Sequence, residues 1–595
     1  MIHNFHIPVM GLAYTIDTPL RVASYGIDSV ISIVDDELAE KMRAFFCKKY
    51  SLPYTPIPTK IQDYRARRIT GYLDLMDKLV KEKFKKFSEE LSTNRHELEK
   101  FVTMLPKTSV IKKKLENLSS DRFFGRAGKV IRDYLSPGAI DVNIMTKVDK
   151  TNYRGKTALP SLYNDAHAAL RGFANSTLNS SLVLSAGMNP SLYSYVGTFK
   201  DFFPDREGVL KKKIVLKVSD FRSAMIQGRF LAKKGIWVSE YRVESGLNCG
   251  GHAFATDGLL LGPIMEEFAE RRQELAKTAH ELLVKALEDK GIRAPESPMD
   301  IRITVQGGVG TFEEHEFLLQ HYKADSVGWG SPFLLVPEAT STDRATRKLL
   351  AGAGEDDLYR SNISPLGVPF NTVTGTTNDY FKAQRIKANR AGSSCPKKLL
   401  ALNPEFGKEG ICTASRKYQQ AKLKETEPEQ GGISQEILKR RREITAKSCL
   451  CVGLANPAYL EKNMEIRGEQ QGVVICPGPN IAYFHKEVSL REMVRHIYGY
   501  TSVLKKESHR PHMFIKEIQL YIDYLTKEIE EETGTTTRAG LKRWHAFKNN
   551  LLLGIAYYED LFTRTSFFGS DRESIKARLA GLKAGVRGIK IPEPV

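Results

Sequence analysis

The sequence predicts an α/β protein built on a (β/α)8 barrel, with a helical insertion and a mainly helical C-terminal extension. Three features of the 595-residue chain point there. Eight short apolar runs, most of them β-branched, are spread over residues 7–328, as expected for strands buried on both faces of a parallel sheet. Helical patterns separate many of them, and strands alternating with helices favour a closed barrel over an open sheet. The last two runs each lead into a glycine turn, with Gly307, Gly308 and Gly310 after one and Gly328, Gly330 and Ser331 at the other. Neighbouring turns of this kind at the ends of parallel strands can aim backbone N–H groups at one phosphate.

The runs are 7–10 (IPVM), 29–34 (SVISIV), 139–145 (AIDVNIM), 181–186 (SLVLSA), 214–218 (IVLKV), 236–239 (IWVS, opening the sixth strand), 303–305 (ITV) and 325–328 (DSVG). Helices are expected over 18–25, 221–233 and 312–321. A longer one is expected over 263–290, where Met265, Phe268, Leu275, Leu282, Leu283 and Leu287 recur at helical spacing. Two pieces exceed a minimal barrel. Residues 35–137, lysine-rich and helical in pattern, read as a subdomain inserted between strands two and three, which a loop tolerates entropically. Residues 376–595 follow the barrel domain of residues 1–375. They begin with loop-like stretches at 389–394 (NRAGSS) and 426–434 (TEPEQGGIS) and continue with helical patterns at 490–504, 514–531, 541–562 and 574–582.

With 41% apolar and 27% charged residues the composition is that of a folded soluble protein. No apolar run is long enough to span a bilayer, and the N-terminus has neither a basic n-region nor an apolar h-region, so a cytoplasmic location without membrane association is expected. Basic groups exceed acidic ones by 19 and the isoelectric point is near 9.3. Such a surface favours acidic partners, among them nucleic acid, nucleotides and acidic carrier proteins; the plainer alternative is a solubility bias. No interleaved aromatic and basic platform for stacking bases is visible.

Two polar residues stand out against the strands. Lys217 interrupts the apolar run IVLKV, either facing the barrel mouth or pointing to solvent from the strand end. His252 follows Gly250 and Gly251 in NCGGHAF after strand six, where barrels display functional side chains. Histidine can take a proton from a carbon acid or return one to an enolate; the alternative is a structural histidine in a tight turn. Cys249 reads as a small core residue, and His315 and His321 as packing or surface residues. Trp329 would stack near the barrel mouth or cap the barrel, and Glu338 would fix the helix that follows it.

The order of motifs resembles the nitronate monooxygenase (2-nitropropane dioxygenase-like) family of FMN-dependent TIM barrels, which is related to the flavin-dependent enoyl-acyl-carrier-protein reductases. The resemblance rests on IPVMGLAYTIDTPLRVASYGIDSVISIV, on Asn143 in DVNIM, on NCGGHAF, and on QGGVGT with GWGSPFLLVPEAT, and it spans roughly residues 5–375. It implies an FMN held by Met10, Gly11, Asn143, Lys217, Gly250, Gly251, Gly307, Gly308, Gly330 and Ser331. Glycines would let the main chain approach the phosphate, and Lys217 would stabilise the reduced ring near N1–C2=O. His252 would serve as acid or base toward a small-molecule substrate, a carbon acid or an enoyl group.

The resemblance does not extend to the cysteines. Five of the seven lie in the C-terminal extension: Cys395, Cys412, Cys449, Cys451 and Cys476. Four of these five can hold a [4Fe–4S] cluster, the preferred expectation, or a tetrahedral zinc ion; the alternative is a set of buried free thiols. For the chain as a whole the expected function is an FMN-dependent oxidoreductase, with an RNA- or nucleotide-directed flavoenzyme and a non-catalytic barrel scaffold as alternatives.

Overall fold

The computed structural model describes residues 2–116, 127–185, 187–205, 207–427, 434–466, 472–505, 509–532, 537–569 and 571–592. Eight parallel strands close into a barrel: β1 (Phe5–Ile7), β2 (Asp28–Ser32), β3 (Ile140–Ile144), β4 (Ser181–Leu184), β5 (Lys213–Val218), β6 (Val238–Glu244), β7 (Arg302–Gln306) and β8 (Ser326–Gly328). Each pairs with its neighbours in sequence, and β8 closes on β1 through Phe5 opposite Val327. All eight expected strands are present, with shifted ends. β1 stops at Ile7 because Pro8 has no N–H to give the ladder, so Val9 and Met10 belong to the loop above the barrel and not to the strand. β6 begins at Val238, two residues later than expected, and runs on to Glu244. Ala186, the expected end of β4, lies outside the described residues, as do residues 428–433 of the loop expected at 426–434.

The helix Thr18–Val22 follows β1, Asp165–Ala174 follows β3, Phe221–Ala232 follows β5, Leu261–Glu288 follows β6 and Phe312–Gln320 follows β7. The stretch 35–137 is only partly an insertion. Its long helix Tyr64–Thr93 packs on both Thr18–Val22 and Asp165–Ala174, and so fills the barrel's own second outer position. The contact is close: a Cβ on Gly172 would sit 2.7 Å from Ile69 Cγ2. Beyond it, Leu91, Leu98, Phe101, Leu105, Ile111, Leu115, Ala127, Ile131 and Leu135 form a small core of their own.

The C-terminal region is joined to the barrel by a continuous core that includes Phe5, Leu454, Phe514, Tyr558 and Val586. A hairpin, β9 (Leu358–Ser361) and β10 (Phe370–Val373), precedes it, and Phe370 bridges to His252. Helices Leu490–Ile497, Met513–Glu531, Arg538–Arg564 and Asp571–Gly588 follow. The first stops well short of residue 504, where Tyr498 caps it and Gly499 takes a φ of +66°. No described helix is long and apolar enough to cross a membrane.

Candidate active site

A cavity of about 970 Å³ opens at the C-terminal ends of the strands. Its lining includes Met10, Gly11, Asn143, Lys217, Gly250, Gly251, His252, Gly307, Gly308, Gly330 and Ser331, so the residues expected to hold FMN and the candidate acid or base surround one space. The volume lies at the upper end of the range usual for ligand sites.

Register explains why the two glycine turns meet. Gln306 ends β7 and pairs with Gly328, the end of β8, so the turns leave the barrel side by side at one interstrand spacing, about 4.8 Å. The reason for glycine differs from the one expected. Gly307 and Gly308 have φ of +126° and +83°. A Cβ on Gly307 would lie 2.7 Å from Ser245 Cβ, and one on Gly308 would run into the Asn248 amide. These glycines thus permit close packing against protein atoms. Gly251, with φ of +82°, has nothing within 4 Å of a would-be Cβ and is the glycine that keeps space free. Gly330 packs beside Pro8 and Met10, with its would-be Cβ 3.3 Å from Pro8 Cγ and 3.8 Å from Met10 Sδ.

Lys217 does not point to solvent. Its ammonium pairs with Glu244 at 2.8 Å, and Gln306 Nε2 donates to the same carboxylate at 2.5 Å. All three residues line the cavity. The lysine charge is therefore neutralised locally, by a partner that the apolar run gave no reason to expect. Two buried amide oxygens on the lining, Asn143 Oδ1 and Asn248 Oδ1, have no hydrogen-bond partner, a costly arrangement that an occupant of the cavity would relieve.

His252 is held from behind. Its Nε2 is hydrogen-bonded with Ser364 Oγ at 2.7 Å, and its ring packs edge-on against Phe370 with centroids 5.0 Å apart. The N–H of Leu366 donates to the same serine oxygen at 3.2 Å. Burial lowers the histidine pKa to about 4, so the imidazole is neutral at physiological pH.

The C-terminal region supplies a wall of the cavity that strand patterns could not reveal. Ile475, Cys476 and Asn480 are on the lining. The N–H of Gly251 donates to the Cys476 carbonyl at 3.2 Å, the N–H of Gly478 to Ser331 Oγ at 2.7 Å, and Asn480 Nδ2 to the Val309 carbonyl at 2.7 Å. Burial pushes the Cys476 thiol up to about 12, and the Cys249 thiol is raised for the same reason, so neither is a thiolate nucleophile at neutral pH. Behind the lining, Ser245 Oγ donates to Glu517, whose carboxyl is raised to about 7 by burial. The one local cue to this wall was the CPGP tetrapeptide at Cys476, which forces a tight loop.

Other expected residues fall elsewhere. Trp329 is fully buried and off the cavity; its Nε1 donates to His315 Nδ1 at 3.2 Å and its ring meets His496. His315 is a packing residue, and His321 stacks on Phe317. Glu338 fixes a helix of the C-terminal region, accepting the Leu490 N–H at 2.5 Å, and not the helix next in sequence. Among the cysteines, Cys476 stands apart on the cavity. Cys395, Cys412, Cys449 and Cys451 are buried free cysteines that are not on its lining. Among the described residues no group of three or more His, Cys, Asp or Glu side chains could hold a metal ion.

No family model matches the chain, and no curated protein matches it. Among solved structures, the chain is similar to the enoyl reductase domain of MlnA from the macrolactin biosynthesis cluster of Bacillus amyloliquefaciens. Identity is 15%, coverage is 72% of this chain and 85% of that one, and the TM-score is 0.31.

Proposed function

We propose that the protein is an FMN-dependent oxidoreductase acting on a small carbon acid or an enoyl substrate, with His252 beside the substrate. The observation that carries this reading is the convergence of Asn143, Lys217, His252 and both glycine turns on one cavity at the catalytic end of a barrel. The residues present fit the cofactor. Two adjacent turns and the Ser331 hydroxyl would hold a phosphate, and the unpartnered Asn143 oxygen would accept from a ring N–H. FMN, when bound, supplies the two-electron chemistry that no side chain provides.

The protein's own part is positioning and proton handling. The Lys217–Glu244 pair sets the local charge, and the C-terminal wall excludes water. A neutral His252 can accept a proton or hold a substrate oxygen by hydrogen bond. To act as a proton donor it must first be protonated, at a cost of roughly 4 kcal/mol near pH 7. This favours the base or hydrogen-bonding role over the acid role. The basic balance of the chain suits delivery of an enoyl group by an acidic carrier protein. Equilibrium titration with FMN, followed by flavin absorbance and fluorescence, tests the reading. Saturable binding supports it, and a chain that neither carries nor takes up flavin overturns it.

A further inference from the structure

Resting on the reading of this cavity as a catalytic site, we infer that Ser364 is a positioning residue that fixes the tautomer of His252. The imidazole then presents an Nδ1–H to the cavity and serves a substrate oxygen as a hydrogen-bond donor. That role narrows the substrate to one whose oxygen gains negative charge, such as the carbonyl of an enoyl group. It disfavours a carbon acid whose proton the histidine would take.

The serine hydroxyl decides the tautomer. Ser364 is fully buried, so its hydroxyl has no solvent to donate to. Its oxygen accepts the Leu366 N–H at 3.2 Å and lies 2.7 Å from His252 Nε2. Among the described residues these two are its only hydrogen-bond partners. A buried hydroxyl has one hydrogen to place, and Leu366 offers a donor, so Nε2 is the acceptor left to it. Nε2 therefore carries the lone pair.

Burial keeps the ring neutral at physiological pH, and a neutral imidazole has one N–H, which falls on Nδ1. Nδ1 has no hydrogen-bond partner among the described residues and is not sealed off, on a residue that lines the cavity. The charged side chains on the same cavity are Lys147, Lys217, Glu244 and Asp257, and none is ion-paired with the ring. The opposite tautomer would orphan the serine hydrogen in a dry site.

The backbone holds this pair in register. The hairpin strand β10 is bonded on both sides of the histidine: Ala253 N–H donates to the Pro369 carbonyl and Asn371 N–H to the Gly251 carbonyl, each at 2.9 Å. The residues flanking Ser364 are fixed as well. The Ser448 N–H donates to the Ile363 carbonyl at 2.9 Å, and Thr413 Oγ1 to the Pro365 carbonyl at 3.2 Å. An Nδ1 that bears hydrogen has no free pair for a carbon-bound proton. It can donate to a carbonyl oxygen, and that bond strengthens as charge builds there. The hydrogen stays on Nδ1 throughout.

Nitrogen-15 NMR of the full chain labelled at histidine, recorded without flavin and assigned with His252→Gln, tests the tautomer. Hydrogen on Nδ1 and a bare Nε2 are expected at pH 7. Hydrogen on Nε2, or shared evenly between the nitrogens, overturns the inference, and this arm needs no serine variant. In Ser364→Ala the neutral ring loses the donor that stabilises it, so the protonation midpoint should rise by about one unit, a tenfold change. A midpoint that falls or stays in place overturns it too, because a merely structural serine predicts no such rise. Adding a short enoyl thioester to the FMN-loaded chain should move the Nδ1–H signal downfield, and a signal that does not respond would overturn the oxygen-donor role. Flavin absorbance is a separate signal, so failure of the cofactor reading is distinguishable from failure of the tautomer.

Discussion

Arg510 grips Glu314 with both arms of its guanidinium, at 2.7 and 2.8 Å, and the same group donates to the carbonyl of Gly308 at 2.6 Å and to Asn480 Oδ1 at 2.8 Å. Glu314 opens the helix after β7 and also accepts the N–H groups of Gly310 and Met513 at 2.9 and 2.7 Å. The C-terminal region thus holds the seventh-strand turn through one buried ion pair. Arg510→Ala leaves Glu314 charged and unpaired, and is expected to cost about 3–5 kcal/mol. Urea unfolding measures that cost. Adding Glu314→Ala to the same chain should recover part of it, and strict additivity would mean the two residues are not coupled.

His252 should act in its neutral form. Its folded-state pKa of about 4 lies below the ordinary 6.5, so its contribution to stability is complete above pH 6.5 and is lost as pH falls through 4. For turnover the same sign holds: kcat/KM should be level from pH 6 to 8 and fall below about pH 4–5. A rate that instead declines steadily as pH rises above 4 would assign the protonated imidazole. His252→Gln should lower kcat by roughly 10²–10⁴-fold while flavin binding is retained.

Lys217→Met removes the positive member of the Lys217–Glu244 pair and leaves a carboxylate facing the cavity. With FMN bound, the reduction potential should move negative, because the anionic reduced ring loses a nearby cation and gains an uncompensated anion. Glu244→Gln should move it the other way. Spectroelectrochemistry of the two variants gives the signs directly; shifts of the same sign would place the pair away from the ring.

Gly250→Ala tests the docking of the C-terminal wall. The added methyl would collide with the backbone carbonyl of Cys476, which cannot swing aside as a side-chain end can. A loss of about 1–3 kcal/mol is expected, with weakened ligand binding at the cavity. Gly251→Ala meets no atom and bears only the strain of its positive φ, so it should be the milder change for stability. Thermal unfolding of both variants ranks them.

The barrel was legible because its strands are buried on both faces: continuous apolar runs such as IVLKV and SVISIV announce themselves without partners. Strand ends were less so, since Pro8 decides where β1 stops and Trp237 precedes β6 although it reads as strand. The helix Tyr64–Thr93 reads as part of an insertion because its second half is rich in charge, and only its packing on Asp165–Ala174 reveals a barrel helix. In the cavity, Lys217 and His252 were visible as polar residues at strand ends. Glu244, Asn248 and Gln306 were not, because one acid or amide at the end of a strand looks like any solvent-facing residue. Ile475, Cys476 and Asn480 reach the cavity through contacts more than 100 residues distant in sequence, which no local pattern encodes.

The most direct test of the central claim is the visible absorption spectrum of the purified full-length chain, before and after incubation with FMN and removal of free cofactor. Retained oxidised-flavin bands, lost in Gly308→Ala and bleached by dithionite, are the expected result. A colourless protein that retains no FMN after incubation would contradict the assignment of this cavity to a flavin.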